Sequence, residues 1–205
     1  KSKLKKISAF LKNETGKEHT FKIYSNGSIS EKPLAQRSGI GWYGKHGIIV
    51  NRDFGSWIVL GEMITDIDLP IDEPTTHGCG ECRLCIDSCP TGAIVEPYIL
   101  DVHKCISYIS QHKVAMNKEI IKAWGNRLYG CDTCQDVCPY NKSAKQFTRK
   151  PKYGYIGSTY SLTKIINMDE NKYRQIFHGN QMSAKLVDFS AIKRNAMVVL
   201  KNIRV

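Results

Sequence analysis

The chain has 205 residues, with 30 Lys+Arg against 19 Asp+Glu and a formal charge of +11. That length allows one sizeable core and a smaller appended unit, and no apolar run approaches a transmembrane span. The charge is uneven: residues 1–140 hold 17 basic against 16 acidic side chains, residues 141–205 hold 13 against 3. A basic tail behind a neutral body points to a polyanionic partner such as nucleic acid; the plainer alternative is a solvated helical face.

The chain opens Lys1-Ser2-Lys3 without a methionine, as a fragment or a processed form does. Residues 1–18 read as a basic amphipathic helix, with Leu4, Ile7, Phe10 and Leu11 at helical spacing and Gly16 near its end. Thr20–Tyr24 alternates as a strand does, and Ser25-Asn26-Gly27 breaks it. Glu31–Gly39 reads as a short helix with Pro33 in its first turn and Gly39 as its cap. Gly39–Gly47 then packs four glycines around Trp42 and Tyr43. It lacks the order of a phosphate-binding loop, and both a hairpin loop and a ligand loop remain open. A strand Ile48–Asn51, a turn Asp53–Trp57 and a strand Ile58–Thr65 complete an α+β core.

Beyond Pro70 and Pro74 comes the run Cys79-x-x-Cys82-x-x-Cys85-x-x-x-Cys89-Pro90, and a shortened version follows at Cys131-x-x-Cys134-x-x-x-Cys138-Pro139. Three thiolates at this spacing fit one cubane iron–sulfur cluster, while the fourth cysteine reaches a second cluster. Cys105 completes the count of eight. The expected ligand sets are Cys79, Cys82, Cys85 and Cys138 for one [4Fe–4S] cluster, and Cys89, Cys105, Cys131 and Cys134 for the other. A zinc site would leave the two Cys-Pro endings unexplained, and a disulfide framework would need an oxidising compartment. No apolar signal segment opens the chain, so a reducing cytoplasm is the expected setting. Each cluster adds roughly two negative charges, which leaves the cluster region mildly acidic.

Between the cysteine runs, Asp101 to about Trp124 reads as helix with Cys105 near its start. A polar basic linker runs to about residue 158. Helices follow near Leu162–Phe177 and Met182–Ile203. In the second, Ile192, Ala196, Val199 and Leu200 form an apolar stripe with Lys193, Arg194 and Lys201 outside it. Helix pairs of this kind stack in α-solenoids.

Taken together these segments resemble one family, the epoxyqueuosine reductases, which are cobalamin-dependent iron–sulfur enzymes of tRNA modification. The resemblance runs through Glu31–Lys45, Phe54–Glu62, the first cysteine run, Ile99–Tyr108, Tyr129–Pro139, Phe177-His178-Gly179 and Arg194-Asn195-Ala196. It implies three regions: a corrinoid-binding α+β region over 1–70, incomplete because family members carry further sequence before it; a ferredoxin-like domain with two [4Fe–4S] clusters over 71–142; and a basic linker with a short HEAT-like helical tail over 143–205. The implied reaction is two-electron removal of an epoxide from a modified tRNA base, yielding queuosine. Electrons pass singly through the clusters to a corrinoid. Implied partners are tRNA, held by the basic tail, and an electron donor such as flavodoxin or ferredoxin. No membrane is involved, and the protein is expected to be a monomer.

Ile49, Leu60, Ser107 and Asp132 fall at family corrinoid-contact positions, although strand aliphatics such as Ile49 and Leu60 serve equally well as core. The family's proton-donating aspartate maps onto Ser25, a far poorer acid. Compensation by Asp53, Asp101 or ordered water is one reading. A related reductase with another substrate is a second, and an electron-transfer module without a catalytic site of its own is a third.

Overall fold

The structure, a computed structural model, describes residues 1–144 and 154–203. The elements run α1 (Ser2–Thr15), β1 (Phe21–Tyr24), α2 (Glu31–Arg37), β2 (Trp42–Tyr43), β3 (Ile49–Val50) and β4 (Glu62–Thr65). The cysteine-bearing stretch follows with α3 (Leu84–Asp87), β5 (Ile94–Glu96), β6 (Ile99–Leu100), α4 (Ile106–Ile109), α5 (Lys118–Ala123), α6 (Thr133–Asp136) and α7 (Pro139–Lys142). The tail holds α8 (Leu162–Ile166), α9 (Glu170–Ile176), a 3-10 turn (Gln181–Ser183) and α10 (Phe189–Ile203). By packing, the chain divides into two units: Lys1–Cys82 with Cys138–Lys145, and Arg83–Val137 with Gln146–Val205. No helix among the described residues is long and apolar enough to cross a membrane.

In the first unit α1 ends where Gly16 turns left-handed and its N–H bonds back to the Lys12 carbonyl. β1 pairs antiparallel with β4, from Phe21 opposite Thr65 to Tyr24 opposite Glu62. The expected strand Ile58–Thr65 therefore forms only from Glu62 onward. Its partner leaves the ladder at Ser25, where Asn26 adopts a positive φ, and Ile58–Leu60 stays outside any strand. The glycine-rich segment Gly39–Gly47 resolves as a hairpin, Trp42 opposite Val50 and Tyr43 opposite Ile49. Gly41 is required there, because a Cβ would run into the Val50 carbonyl. Ala35, Trp42, Ile49 and Val50 form the buried centre.

In the second unit two apolar clusters carry the packing. One joins Ile165, Tyr173, Phe177, Phe189, Ile192 and Ala196; the other joins Ile106, Ile109, Ile120, Trp124 and Val199. The helix expected over Asp101–Trp124 is broken into α4 and α5. The guanidinium of Arg194 donates to the carbonyls of Ile109 (2.6 Å), Val114 (2.7 Å) and His112 (3.1 Å). These carbonyls thus have partners outside a helix, and Asn117 restarts the next one by accepting the Ile120 N–H. The same contacts overturn the placing of Arg194 on the outer face of the last helix: it is turned inward and half-buried.

The helix expected over Leu162–Phe177 is also split, because Asp169 caps α9 through the Lys172 N–H. The one expected from Met182 begins only at Phe189, after Asp188 accepts the Ser190 N–H. Much of the basic linker, residues 145–153, lies outside the described residues.

Asn195 is fully buried and joins these pieces. Its amide donates to the Ser110 (2.8 Å) and Leu128 (2.9 Å) carbonyls, and its oxygen accepts from Arg194 (2.9 Å). Asn195→Ala strips partners from two carbonyls and one guanidinium, and should cost about 2–3 kcal/mol in chemical denaturation of the cluster-loaded protein. Asn202→Ala, which loses a single bond to the Ile121 carbonyl, should cost less than about 1 kcal/mol.

Candidate functional site

All eight cysteines are free thiols, and among the described residues no group of three or more His, Cys, Asp or Glu is arranged to hold a single metal ion. In the first unit Cys79 and Cys82 share a tight turn, the Cys82 N–H donating to the Cys79 carbonyl at 3.1 Å. Cys138 caps α7, with Pro139 in the first helical position. Burial pushes the Cys138 thiol up, the N–H groups of Tyr140 and Asn141 pull it back, and the nearby thiols of Cys79 and Cys82 push it up again.

The support for this turn comes from far along the chain. Asn141 accepts the Ser56 N–H at 2.6 Å and donates to the Ser56 hydroxyl at 2.8 Å. The Tyr140 ring meets Trp42 edge-on at 4.9 Å, and Lys45 donates to the Gly80 carbonyl at 2.6 Å. The β2–β3 hairpin is therefore a brace for the cysteine turns.

In the second unit α3 and α6 are single turns that carry Cys85 and Cys134 and pack on each other. Cys105 caps α4. The Cys134 thiol is pushed up to about 12, first by burial and then by the thiols of Cys131, Cys105, Cys85 and Cys89. Cys89 goes the other way: burial opposes it, but the N–H groups of Ile94, Thr91 and Ala93, with the Thr91 hydroxyl, lower it overall. Five thiols within electrostatic reach of one another repel once ionised. Several iron cations are what such a donor set is chemically suited to hold, so the residues fit iron–sulfur ligation.

The remaining expected residues separate by unit. Ile49 is buried in β3. Leu60 lines a cleft of ≈ 420 Å³ whose apolar wall includes Leu34, Ile40, Met63 and Ile71 and whose charged groups are Glu31, Arg37, Glu62 and Asp72. Ser25 sits beside this cleft, its hydroxyl donating to the Leu60 carbonyl at 3.3 Å. Ser107 is half-buried in α4, its carbonyl accepting from Ser110 and Gln111. Asp132 caps α6, and burial followed by the charge of Asp136 raises its carboxyl, with Gln135 partly offsetting this. Asp101 is committed locally, to the His103 N–H and to Lys104.

Sequence reasoning missed three buried polar groups. Glu62 keeps both carboxyl oxygens shut from solvent with no partner on any other described residue, and the ring nitrogens Trp42 Nε1 and His46 Nε2 lack one among the described residues. Burial, then Lys32, holds His46 below its usual range. No local pattern marks such groups, since solvent exclusion is decided by what packs around them.

Cysteine turns of this type define an iron–sulfur redox protein, and residues 78–141 match the family described as a 4Fe-4S double cluster binding domain. Over nearly its whole length the chain is similar, in sequence and in fold, to epoxyqueuosine reductases. It is 36% identical to the epoxyqueuosine reductase of Escherichia coli (strain K12), over 98% of this chain and 53% of that protein. A solved Bacillus subtilis epoxyqueuosine reductase, captured with its catalytic aspartate loop swung out of the active site, superposes with TM-score 0.86 at 34% identity. That match covers 99% of this chain and 54% of the other. A structure of an epoxyqueuosine reductase with an epoxyqueuosine-modified tRNA-Tyr stem loop superposes with TM-score 0.85 at 32% identity, again over 99% and 54%. The chain thus spans about half the length of these relatives.

Gly55 sits at φ 60°, and a Cβ there would collide with the Asn141 side chain. Gly55→Ala should therefore destabilise the first unit by at least about 2 kcal/mol. It should also speed iron loss from the folded protein, measured as chelator-accessible iron against time.

Proposed function

We propose that the protein acts in the reduction of epoxyqueuosine to queuosine in tRNA. The observation that carries this reading is a likeness to epoxyqueuosine reductases over nearly the whole chain, including one solved with a modified tRNA stem loop. In this reading the protein holds two [4Fe–4S] clusters, one on Cys79, Cys82, Cys85 and Cys138 and the other on Cys89, Cys105, Cys131 and Cys134. The regions 1–70, 71–142 and 143–205 serve corrinoid binding, electron transfer and tRNA binding.

A corrinoid has apolar faces and an amide-fringed edge. The apolar cleft wall at Leu60 and the unsatisfied ring nitrogens of Trp42 and His46 offer chemistry that suits it. Ile49, Ser107 and Asp132 are the further residues assigned to hold it. When bound, the clusters and the cobalamin supply single electrons at low potential. The chain's own part is to position the modified base, exclude water and deliver protons, since turning an epoxide into an alkene consumes two electrons and two protons and releases water.

Basic side chains of the tail, among them Lys172, Lys185 and Lys201, supply phosphate contacts. A flavodoxin or ferredoxin supplies the electrons to a monomeric protein working in the cytoplasm.

Ser25 favours a second reading, a related corrinoid reductase with another substrate, because a serine replaces the acid of the relatives' catalytic loop. An anaerobic single-turnover assay separates the two. Reconstituted protein is mixed with cobalamin, a low-potential reductant and epoxyqueuosine-containing tRNA, and the nucleosides are weighed by mass spectrometry. Queuosine is the expected product; none, with clusters and corrinoid both bound, moves the assignment to the second reading. In the same preparation Cys105→Ser should lower bound iron from roughly eight towards four per chain, as read by iron assay.

A further inference from the structure

Glu62 is the cleft residue whose surroundings its packing does not explain. Both carboxyl oxygens are excluded from solvent, and no other described residue bonds to them. An ionised carboxylate so placed loses hydration with only its own backbone N–H in return, so the site disfavours the charged form relative to an exposed glutamate. The groups that face it deepen the effect. From α2 come Glu31, a like charge that itself accepts the Asn26 N–H, and Arg37; from the segment after β4 comes Asp72. From β1 the cross-strand neighbour is Tyr24. The carboxyl is accordingly raised above its usual range, by burial first and by Glu31 second, with its own backbone N–H offsetting part of the rise.

Glu62 lies opposite Tyr24 at the end of the β1–β4 ladder, on the strand whose preceding residues, Leu60 and Gly61, meet Ser25. The Ser25 hydroxyl is already spent on the Leu60 carbonyl. The cleft lined by Leu60 and Glu62 is within the size range of small-molecule sites and has an apolar wall that favours the protonated form of an acid by excluding water.

We propose that Glu62 is the proton donor of this cleft, supplying the proton to the oxygen that leaves the substrate's epoxide. The proposal rests on the reductase reading. As the carbon–oxygen bonds break, two electrons would be supplied, one at a time, by a low-potential one-electron protein donor, with the cysteine-held iron–sulfur centres as the chemistry suited to carry them. One proton comes from the Glu62 carboxyl and one from water; the carbons are left as an alkene and the oxygen departs as water. The Glu62 carboxylate then regains a proton from water admitted to the cleft as the product leaves.

The test compares wild type, Glu62→Gln and Glu62→Asp, each reconstituted with both clusters and cobalamin. A neutral acid is required, so the wild-type single-turnover rate should fall as pH rises through the raised carboxyl value. Glu62→Gln keeps the shape but holds no transferable proton; it should convert roughly 10²-fold more slowly or worse, with no pH dependence from this group. Glu62→Asp should recover part of the rate. Independently of turnover, infrared spectra of protein labelled with 13C-glutamate should show a carboxyl band that persists to higher pH than those of the exposed glutamates and is missing in Glu62→Gln, while visible spectra show unchanged clusters and corrinoid.

Equal rates and pH profiles for wild type and Glu62→Gln, or no such band, would overturn the proposal and leave the reductase reading standing. A wild type that carries clusters and corrinoid but forms no queuosine would overturn the reading and the donor role together.

Discussion

The constraint on which the rest of this structure depends is the mutual repulsion of its thiolates. In the second unit the Cys134 thiol is driven to about 12 by burial and by four neighbouring thiols, so the set cannot be ionised together without compensating positive charge. Iron cations supply that compensation, and the protein's contribution is to aim the sulfurs. It does so with very little regular structure: single helical turns at α3 and α6, a cap at Cys105, and N–H groups directed at Cys89. Elements this short have no cooperative stability of their own. Their geometry is borrowed from the two apolar clusters of that unit and from braces such as the Asn195–Arg194 hub.

The first unit solves the same problem by different means. The Cys138 turn is tied by Asn141 to Ser56, while Trp42 and Lys45 of the glycine hairpin reach Tyr140 and Gly80. A loop that reads equally as fold or as ligand site thus spends part of its composition on holding cysteines in place. The cleft beside it is a separate feature, built on the short β1–β4 ladder and α2. The ladder's early end at Tyr24 leaves Ser25 bonded to a backbone carbonyl, and Glu62 lines a cleft with an apolar wall and several charged groups. In our proposal the acid that the family resemblance implies at residue 25 is supplied instead by Glu62.

Legibility differed by level. The cysteine runs were readable because ligand spacing in a cluster loop is a local property: three thiolates on one short loop require that spacing wherever the loop sits. α1, β1 and α2 were readable for the same reason, since periodicity, Gly16 and Pro33 act within a turn or two. The long helices expected over Asp101–Trp124 and Leu162–Phe177 were not, because their breaks are made by partners remote in sequence or by side chains that compete for backbone groups. Arg194 takes carbonyls some eighty residues away, and Asp169 and Asn117 cap in mid-segment.

By itself, then, the sequence determined the donor set, the basic bias of the tail, the α+β character of the first segment and the family resemblance, all of which follow from residue identity and short-range spacing. The tertiary structure decided which arginine turns inward, which glycines are packing requirements, and that Glu62, among the described residues, is a carboxyl buried with no partner on another residue. Those outcomes depend on desolvation and on contacts between distant segments, and no window of sequence contains both sides of such a contact.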